Sequence, residues 1–317
     1  MTEMEKESRI FVAGHRGLVG SAILRRLNRD GFLNLITADH QDLDLRDAHA
    51  VKGFFQIKNP EYVFMAAGKV GGIKANMSFP ADFLYDNVMI NTNVIHQSYL
   101  SRVKKLVLLG SSCMYPRECS QPMKEEHLLT GVLETTNEGY ALAKILALKQ
   151  AEYYSQQYGF KTMSLMPPNL YGPGDHFDLQ RAHVMSALVK RFVDVVDEKK
   201  REITLWGTGK ARREFMYVDD LVEAIFYFME NYEGQSFINV GWGSDISIKE
   251  LADQIAETVG FKGDICWDVS MADGMLRKCM DVSLMKSLGF QPEITMKRGI
   301  VMMVDYYKTL KKGNKIQ

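Results

Sequence analysis

Tyr140 and Lys144 stand four residues apart in the run Tyr140-Ala141-Leu142-Ala143-Lys144. On a helix this spacing puts a phenol and an ammonium on one face, within reach of each other. A nearby ammonium favours phenolate, so the expectation is a lowered tyrosine pKa and a hydroxyl usable as an acid near neutral pH. The pair alone is weak evidence, because a half-buried Tyr beside a solvated Lys is a common structural arrangement. Two other features raise its weight: Ser111, just past an apolar run, and a glycine turn near the start of the chain.

That turn is Gly14-His15-Arg16-Gly17-Leu18-Val19-Gly20. It lies between a strand-like run, Arg9 to Gly14, and helical apolar spacing at Ile23, Leu24 and Leu27. The first glycine allows a tight turn, the second lets backbone approach a pyrophosphate, and the third lets helix pack on sheet. The helix N-terminus then offers free N–H groups and the positive end of its dipole. Gly14, Arg16, Gly17, Leu18, Val19 and Gly20 are therefore candidate dinucleotide contacts, with Ala66 and Ala67 at the end of the third strand-like run. Two cues on the cofactor conflict. The Arg16 guanidinium suits a ribose 2′-phosphate. Asp39, at the end of the second strand, suits a free 2′-hydroxyl. NADP(H) is the expected cofactor, with NAD(H) kept open by Asp39. Asp44 and Leu45 are candidate adenine contacts, although an ordinary strand edge would look the same.

The elements that must position these groups alternate. Strand-like runs occur at residues 9–14, 35–38, 62–67, 106–109 and 162–166, with helical patterns at 21–29, 48–56 and 89–101 between them. Near-continuous apolar strands separated by helices imply a parallel sheet covered on both faces. The expected fold class is α/β, a Rossmann-type doubly wound parallel sheet with a smaller C-terminal α+β substrate domain. Residues 1–170 form the first domain, with a return segment near 215–242; residues 171–214 and 243–317 form the second. Further helices are expected at 185–196, 248–259 and 300–310, and a frayed, solvated tail at Lys308 to Lys315.

Composition narrows the classes. The chain has 317 residues, with 39 Lys plus Arg against 39 Asp plus Glu. Zero formal charge argues against nucleic acid or an anionic membrane as the main partner. No stretch approaches the roughly 20 apolar residues that span a bilayer. Cys113, Cys119, Cys266 and Cys279 show no zinc or disulfide spacing. The expectation is a cytoplasmic protein with reduced thiols and no metal.

Two further groups exceed what a simple reductase needs. Cys113 lies two residues after Ser111, and His183 just precedes an amphipathic helix. A thiol and an imidazole can move protons on carbon beside a ketone, one removing and one supplying. The resulting enolate places charge on an oxygen to which Tyr140 and Ser111 already donate. By residue type alone, a buried Cys and a helix-capping His explain both positions as well.

The 1-4-7 glycine spacing, Ser111 and Tyr140-x-x-x-Lys144 resemble the extended short-chain dehydrogenase/reductase superfamily. More specific pieces resemble the GDP-L-fucose synthase family: Lys69-Val70-Gly71-Gly72-Ile73, Gly110 to Pro116, Asn169-Leu170-Tyr171-Gly172-Pro173, and Trp206 through Phe215. This resemblance implies NADPH-dependent 4-reduction and 3,5-epimerisation of GDP-4-keto-6-deoxy-D-mannose. It implies that Tyr140 is the acid, Lys144 its support, Ser111 a ketone ligand, and Cys113 with His183 the epimerase pair. It further implies GDP contacts at Asn169, Arg191, Trp206 and Arg213, with Lys278 as an added pyrophosphate charge. A homodimer through two helices per subunit, one carrying Tyr140, is also implied. Pro168, His176 and Ala38-Asp39-His40 depart from the family pattern. Alternatives are a GDP-L-colitose synthase, a 4-reductase lacking epimerase activity, and a non-catalytic dinucleotide sensor.

Overall fold

The computed structural model describes residues 4–179, 182–234, 236–270 and 275–313. In the first half the apolar runs become strands and the amphipathic runs become helices. In chain order these are β1 (Arg9–Ala13), α1 (Leu18–Arg29), β2 (Asn34–Ile36), α2 (Ala48–Lys58), β3 (Tyr62–Met65), α3 (Ile73–Ser78), α4 (Pro80–Leu100), β4 (Lys105–Leu109), α5 (Glu138–Tyr158) and β5 (Thr162–Met166). The second half holds β6 (Asn169–Tyr171), α6 (Val184–Asp197), β7 (Glu202–Trp206), β8 (Arg212–Arg213), β9 (Phe215–Tyr217), α7 (Val218–Asn231) and β10 (Ile238–Asn239). It closes with β11 (Ile246–Ser247), α8 (Ile248–Val259), β12 (Asp264–Asp268), β13 (Arg277–Lys278), α9 (Ser283–Ser287) and α10 (Met296–Lys312).

Six strands form the main sheet in the order β10-β5-β4-β3-β1-β2, every neighbouring pair parallel. The strands are buried on both faces, which explains their unbroken apolar sequences. One face packs on α1 and α7, with Ile23, Leu27, Leu221 and Ile225 fully enclosed. Burying each such side chain contributes about 1.5–3 kcal/mol. The other face packs on α2, α4 and α5 through Val51, Phe55, Val94, Ile95 and Ala151.

Helix α4 corrects an expected boundary: it starts at Pro80, not near Met89. Proline at the first helical position costs no hydrogen bond. Buried Asn87, Asn91 and Asn93 break the apolar periodicity of this helix. Asn87 is satisfied by the carbonyls of Phe83 and Lys69, and Asn93 by those of Leu45 and Arg46. The return segment also differs. Strand β9 pairs with β6, away from the main sheet, whereas α7 and β10 rejoin it.

A second core gathers α6, α8 and α10 around Phe192, Leu205, Phe215, Leu251 and Met303. Strand β8 is shared by β11 and β13, and β12 pairs with β7. Lys311 pairs with Asp194 at 2.7 Å and Asp197 at 2.8 Å, so α10 is held through its last turn rather than frayed; residues 314–317 lie outside the described residues. The two cores meet at Gly174 (φ +99°), where a side-chain carbon would stand 2.7 Å from Ser21 Oγ and 3.4 Å from Leu18 Cα. Among the described residues no helix is long and apolar enough to cross a membrane.

Candidate active site

The strand order reverses between β1 and β3, so the connections leaving these strands diverge and open a crevice. Gly14 (φ +79°) turns the chain there. A carbon added to it would lie 2.6 Å from the Ala67 nitrogen and 2.7 Å from the Ala66 oxygen. A carbon on Gly20 would lie 2.1 Å from the Gly14 oxygen. Gly17 heads α1 without any side-chain cap, leaving its first backbone N–H groups for a ligand. Leu18 and Val19 form that first turn. This bare backbone cradle fits a pyrophosphate.

The conflicting cofactor cues are one ion pair. The Arg16 guanidinium donates to Asp39 Oδ2, while the buried Asp39 Oδ1 accepts no hydrogen bond and has His15 Nε2 at 3.4 Å. Asp44 lies in the loop before α2, where Arg46 holds its carboxyl down to about 2. Arg46 continues to Asp86 at 3.0 Å, and Asp86 to Lys69 at 2.8 Å. Leu45 packs on the α2–α4 face of the sheet.

After β4 the chain makes a single 3-10 turn, Ser112–Met114. Ser111 Oγ heads it and accepts from the Cys113 N–H at 3.4 Å. Cys113 is 5 % exposed in a cluster with Met114, Ala141, Ile145 and Met166, and Tyr140 packs at its margin. Lys144 Nζ lies 5.8 Å from the Tyr140 ring centroid and donates to the Leu109 carbonyl at 2.9 Å. The expected lowering of the Tyr140 pKa is corrected here. Burial pushes the phenol well above its ordinary value, and the neighbouring Cys113 adds to the rise. Burial likewise pushes Lys144 down to about 8, against the opposing influence of Cys113. The lysine head is spent on a strand-end carbonyl, and desolvation outweighs its attraction for phenolate. Burial also lowers Lys278, again opposed by Cys113. The thiol is thus within electrostatic reach of Tyr140, Lys144 and Lys278.

His183 is exposed and immediately precedes α6, but its side chain caps nothing. Its charge is felt by Asp175, a carboxyl that sequence reasoning passed over. Asp175 is 8 % exposed, accepts from the His176 N–H at 2.9 Å and from Ser186 Oγ in the first turn of α6, and burial raises its pKa. Its signal in the sequence was the Gly-Pro-Gly-Asp turn. Among the described residues no hydrogen bond or ion pair joins His183 to the Ser111–Cys113–Tyr140–Lys144 group.

The candidate nucleotide contacts lie around the short strands β6, β8 and β13. Asn169 Nδ2 donates to the Glu214 carbonyl at 2.9 Å, and Arg213 Nη1 to the carbonyls of Arg212 and Met275 at 2.8 and 2.5 Å. Lys278 pairs in register beside Arg213. Arg191 is not a freely solvated helix arginine: it donates to the Thr204 carbonyl, and burial lowers its pKa. Trp206 is 65 % exposed at the end of β7, so its indole is a surface plate rather than a core side chain. Glu214 was also missed. It is 1 % exposed and burial pushes it up to about 7, although backbone N–H groups of Met280, Gly243 and Trp242 favour the carboxylate. Among the described residues no group of His, Cys, Asp and Glu forms a metal site.

Residues 10–241 match the model of the NAD dependent epimerase/dehydratase family. The chain belongs to this family. It is 47% identical over 303 residues to GDP-L-fucose synthase 1 of Arabidopsis thaliana, covering 96% of this chain and 94% of that protein. It is 38% identical over 301 residues to GDP-L-colitose synthase of Yersinia pseudotuberculosis, covering 94% and 97%. A solved GDP-L-fucose synthetase from Naegleria fowleri, bound to NADP, superposes with a TM-score of 0.90 at 26% identity, covering 99% of this chain and 98% of that one.

Proposed function

We propose that this epimerase/dehydratase family member converts GDP-4-keto-6-deoxy-D-mannose to GDP-L-fucose, by epimerising C3 and C5 and then reducing C4. The observation that carries the reading is the buried Cys113 thiol, set within electrostatic reach of the Tyr140–Lys144 pair. A ketone reductase alone has no use for a thiol there. Similarity to a fucose synthase at higher identity than to a colitose synthase supports the substrate that keeps its 3-hydroxyl over the 3,6-dideoxy ketosugar.

The glycine cradle and the Ala66–Ala67 edge fit NADP(H), with Arg16 toward its 2′-phosphate. When bound, NADPH supplies the hydride for C4. The protein groups do the rest. The 4-keto group acidifies the hydrogens on C3 and C5. Cys113 and His183 exchange protons there from opposite faces of the sugar ring. Ser111 and Tyr140 donate to O4, steadying the enolate and then the alkoxide. Tyr140 gives its proton to O4, and a phenol kept neutral by burial is in the correct state to do so. Lys144 orients this end of the site through the Leu109 carbonyl. Residues 1–170, with the return segment, serve the cofactor. Residues 171–214 and 243–317 hold the GDP moiety through Arg191, Trp206, Arg213 and Lys278, with Asn169 added from the end of the first segment.

A homodimer fits the same reading: Tyr85, Leu142, Leu146 and Tyr153 leave apolar surface exposed on α4 and α5. A monomer by sedimentation velocity would contradict it. A cytoplasmic setting suits four free thiols.

The test is NADPH oxidation with GDP-4-keto-6-deoxymannose in deuterated water, with the product read by NMR. Wild type is expected to yield GDP-L-fucose deuterated at C3 and C5. Cys113→Ser should lose exchange while binding NADPH normally. Tyr140→Phe should keep exchange and lose reduction. Full exchange in Cys113→Ser would refute the thiol's role, and faster turnover of the 3-deoxy ketosugar would move the assignment to colitose.

A further inference from the structure

Glu214 has no chemistry to perform on a ketone, yet the nucleotide end of the site is tied to it. Its carbonyl accepts from both the backbone N–H and the side-chain amide of Asn169, at 3.2 and 2.9 Å. Its own N–H donates to the Lys278 carbonyl at 3.2 Å. Arg213 precedes it in the chain. Its side chain then reaches two further segments: Oε1 accepts from Gly243 N–H at 2.8 Å and Oε2 from Met280 N–H at 2.8 Å. Gly241 leaves room for this carboxylate, since a side-chain carbon there would come within 2.2 Å of Oε1.

The strands that present these residues cannot fix their own spacing. Strands β8 and β13 have two residues each and β6 has three. Such ladders hold few hydrogen bonds and are marginal without help. A fully buried carboxyl is costly unless every lone pair is used. Here its two oxygens take donors from two different segments. An amide could not replace it, because one of its two ends would present N–H to N–H.

We propose that Glu214 is a positioning residue for nucleotide recognition: its carboxylate clamps the 241–243 turn and the 277–280 segment onto β8 and β9, setting the separation of Asn169, Arg213 and Lys278. This rests on the reading of those three as GDP contacts. Glu214 does not touch the nucleotide in this account. It acts through the backbone of the segments that do.

The experiment titrates wild type, Glu214→Gln and Glu214→Asp with GDP and, separately, with NADPH by calorimetry, alongside steady-state kinetics on the GDP-ketosugar. Glu214→Gln should bind NADPH as wild type does. Its GDP dissociation constant should rise about tenfold or more, the scale set by one unpaired buried donor. KM for the sugar nucleotide should rise in step, with kcat nearly kept. Glu214→Asp keeps both acceptors on a shorter arm and should fall between the two. Unchanged GDP affinity in a Glu214→Gln protein that binds NADPH overturns the inference. If that variant binds neither ligand, Glu214→Asp decides by the same criteria. A wild type that binds NADPH but not GDP instead overturns the assignment of the three contacts.

Discussion

Replacing Asp39 by Asn should shift cofactor preference strongly toward NADPH. Arg16 is 75% exposed and Asp39 30% exposed, so their pairing operates in a water-like dielectric. A guanidinium that bridges a carboxylate and a phosphate puts the two anions roughly 5 Å apart, where each pair of unit charges repels by about 0.8 kcal/mol. A phosphate monoester carries about 1.5–2 negative charges. Some of the repulsion is lost to salt screening. The remainder is about 1 kcal/mol, so NADPH should bind roughly fivefold tighter to Asp39→Asn. NADH should bind more weakly, because a charged acceptor for the 2′-hydroxyl becomes a neutral one at a loss of about 1 kcal/mol. The ratio of the two dissociation constants should therefore move by roughly 30-fold. Fluorescence titration of each coenzyme measures it, and the shift should shrink in 1 M salt, where the Debye length is about 3 Å. A ratio that does not move would show that Asp39 never senses the ribose, and the reasoning from its pairing with Arg16 would fail.

Lys144 leads to a pH expectation. Its folded pKa, about 8, lies below its ordinary value, so the buried ammonium costs stability below pH 8 and that cost disappears as pH rises from about 8 toward 10.5. The reduction rate should fall on an alkaline limb near pH 8, and Lys144→Arg should carry the limb beyond pH 10; a limb that stays put excludes Lys144 as its source. At pH 7, Lys144→Met should be inactive in reduction yet melt a few degrees higher by calorimetry. Gly20→Ala should lose about 1–3 kcal/mol, because its new carbon would meet the Gly14 carbonyl, and should weaken NADPH binding in the same titration.

Much of the fold can be read from the chain because the parallel strands are apolar on both faces. Strand β5 and helix α8 fall on the expected residues, and α6 differs by one residue at each end. The glycine turn was legible for a similar reason: its backbone conformation and close contacts leave no choice of side chain at Gly14 and Gly20. The first half of α4 was hidden in part by Asn87, whose buried amide reaches the Lys69 carbonyl outside the helix as well as Phe83 within it. Two-residue strands such as β8 and β13 carry no period at all. The sign of the Tyr140 shift was misread because helical spacing reports proximity and says nothing of how dry the surroundings are. Asp175 and Glu214 were overlooked for a related reason. A carboxylate looks like surface in a sequence until its donors are seen: the next N–H and Ser186 for Asp175, and the distant Gly243 and Met280 for Glu214.

Gly174 joins the two lobes at a point with no clearance to spare. The turn that leads to Asp175 rests on the opening coil of α1, where the Ser21 hydroxyl and the Leu18 backbone fill the space a side chain would need. One missing methyl lets this turn and the glycine loop share a common frame, so neither can rock far without carrying the other along.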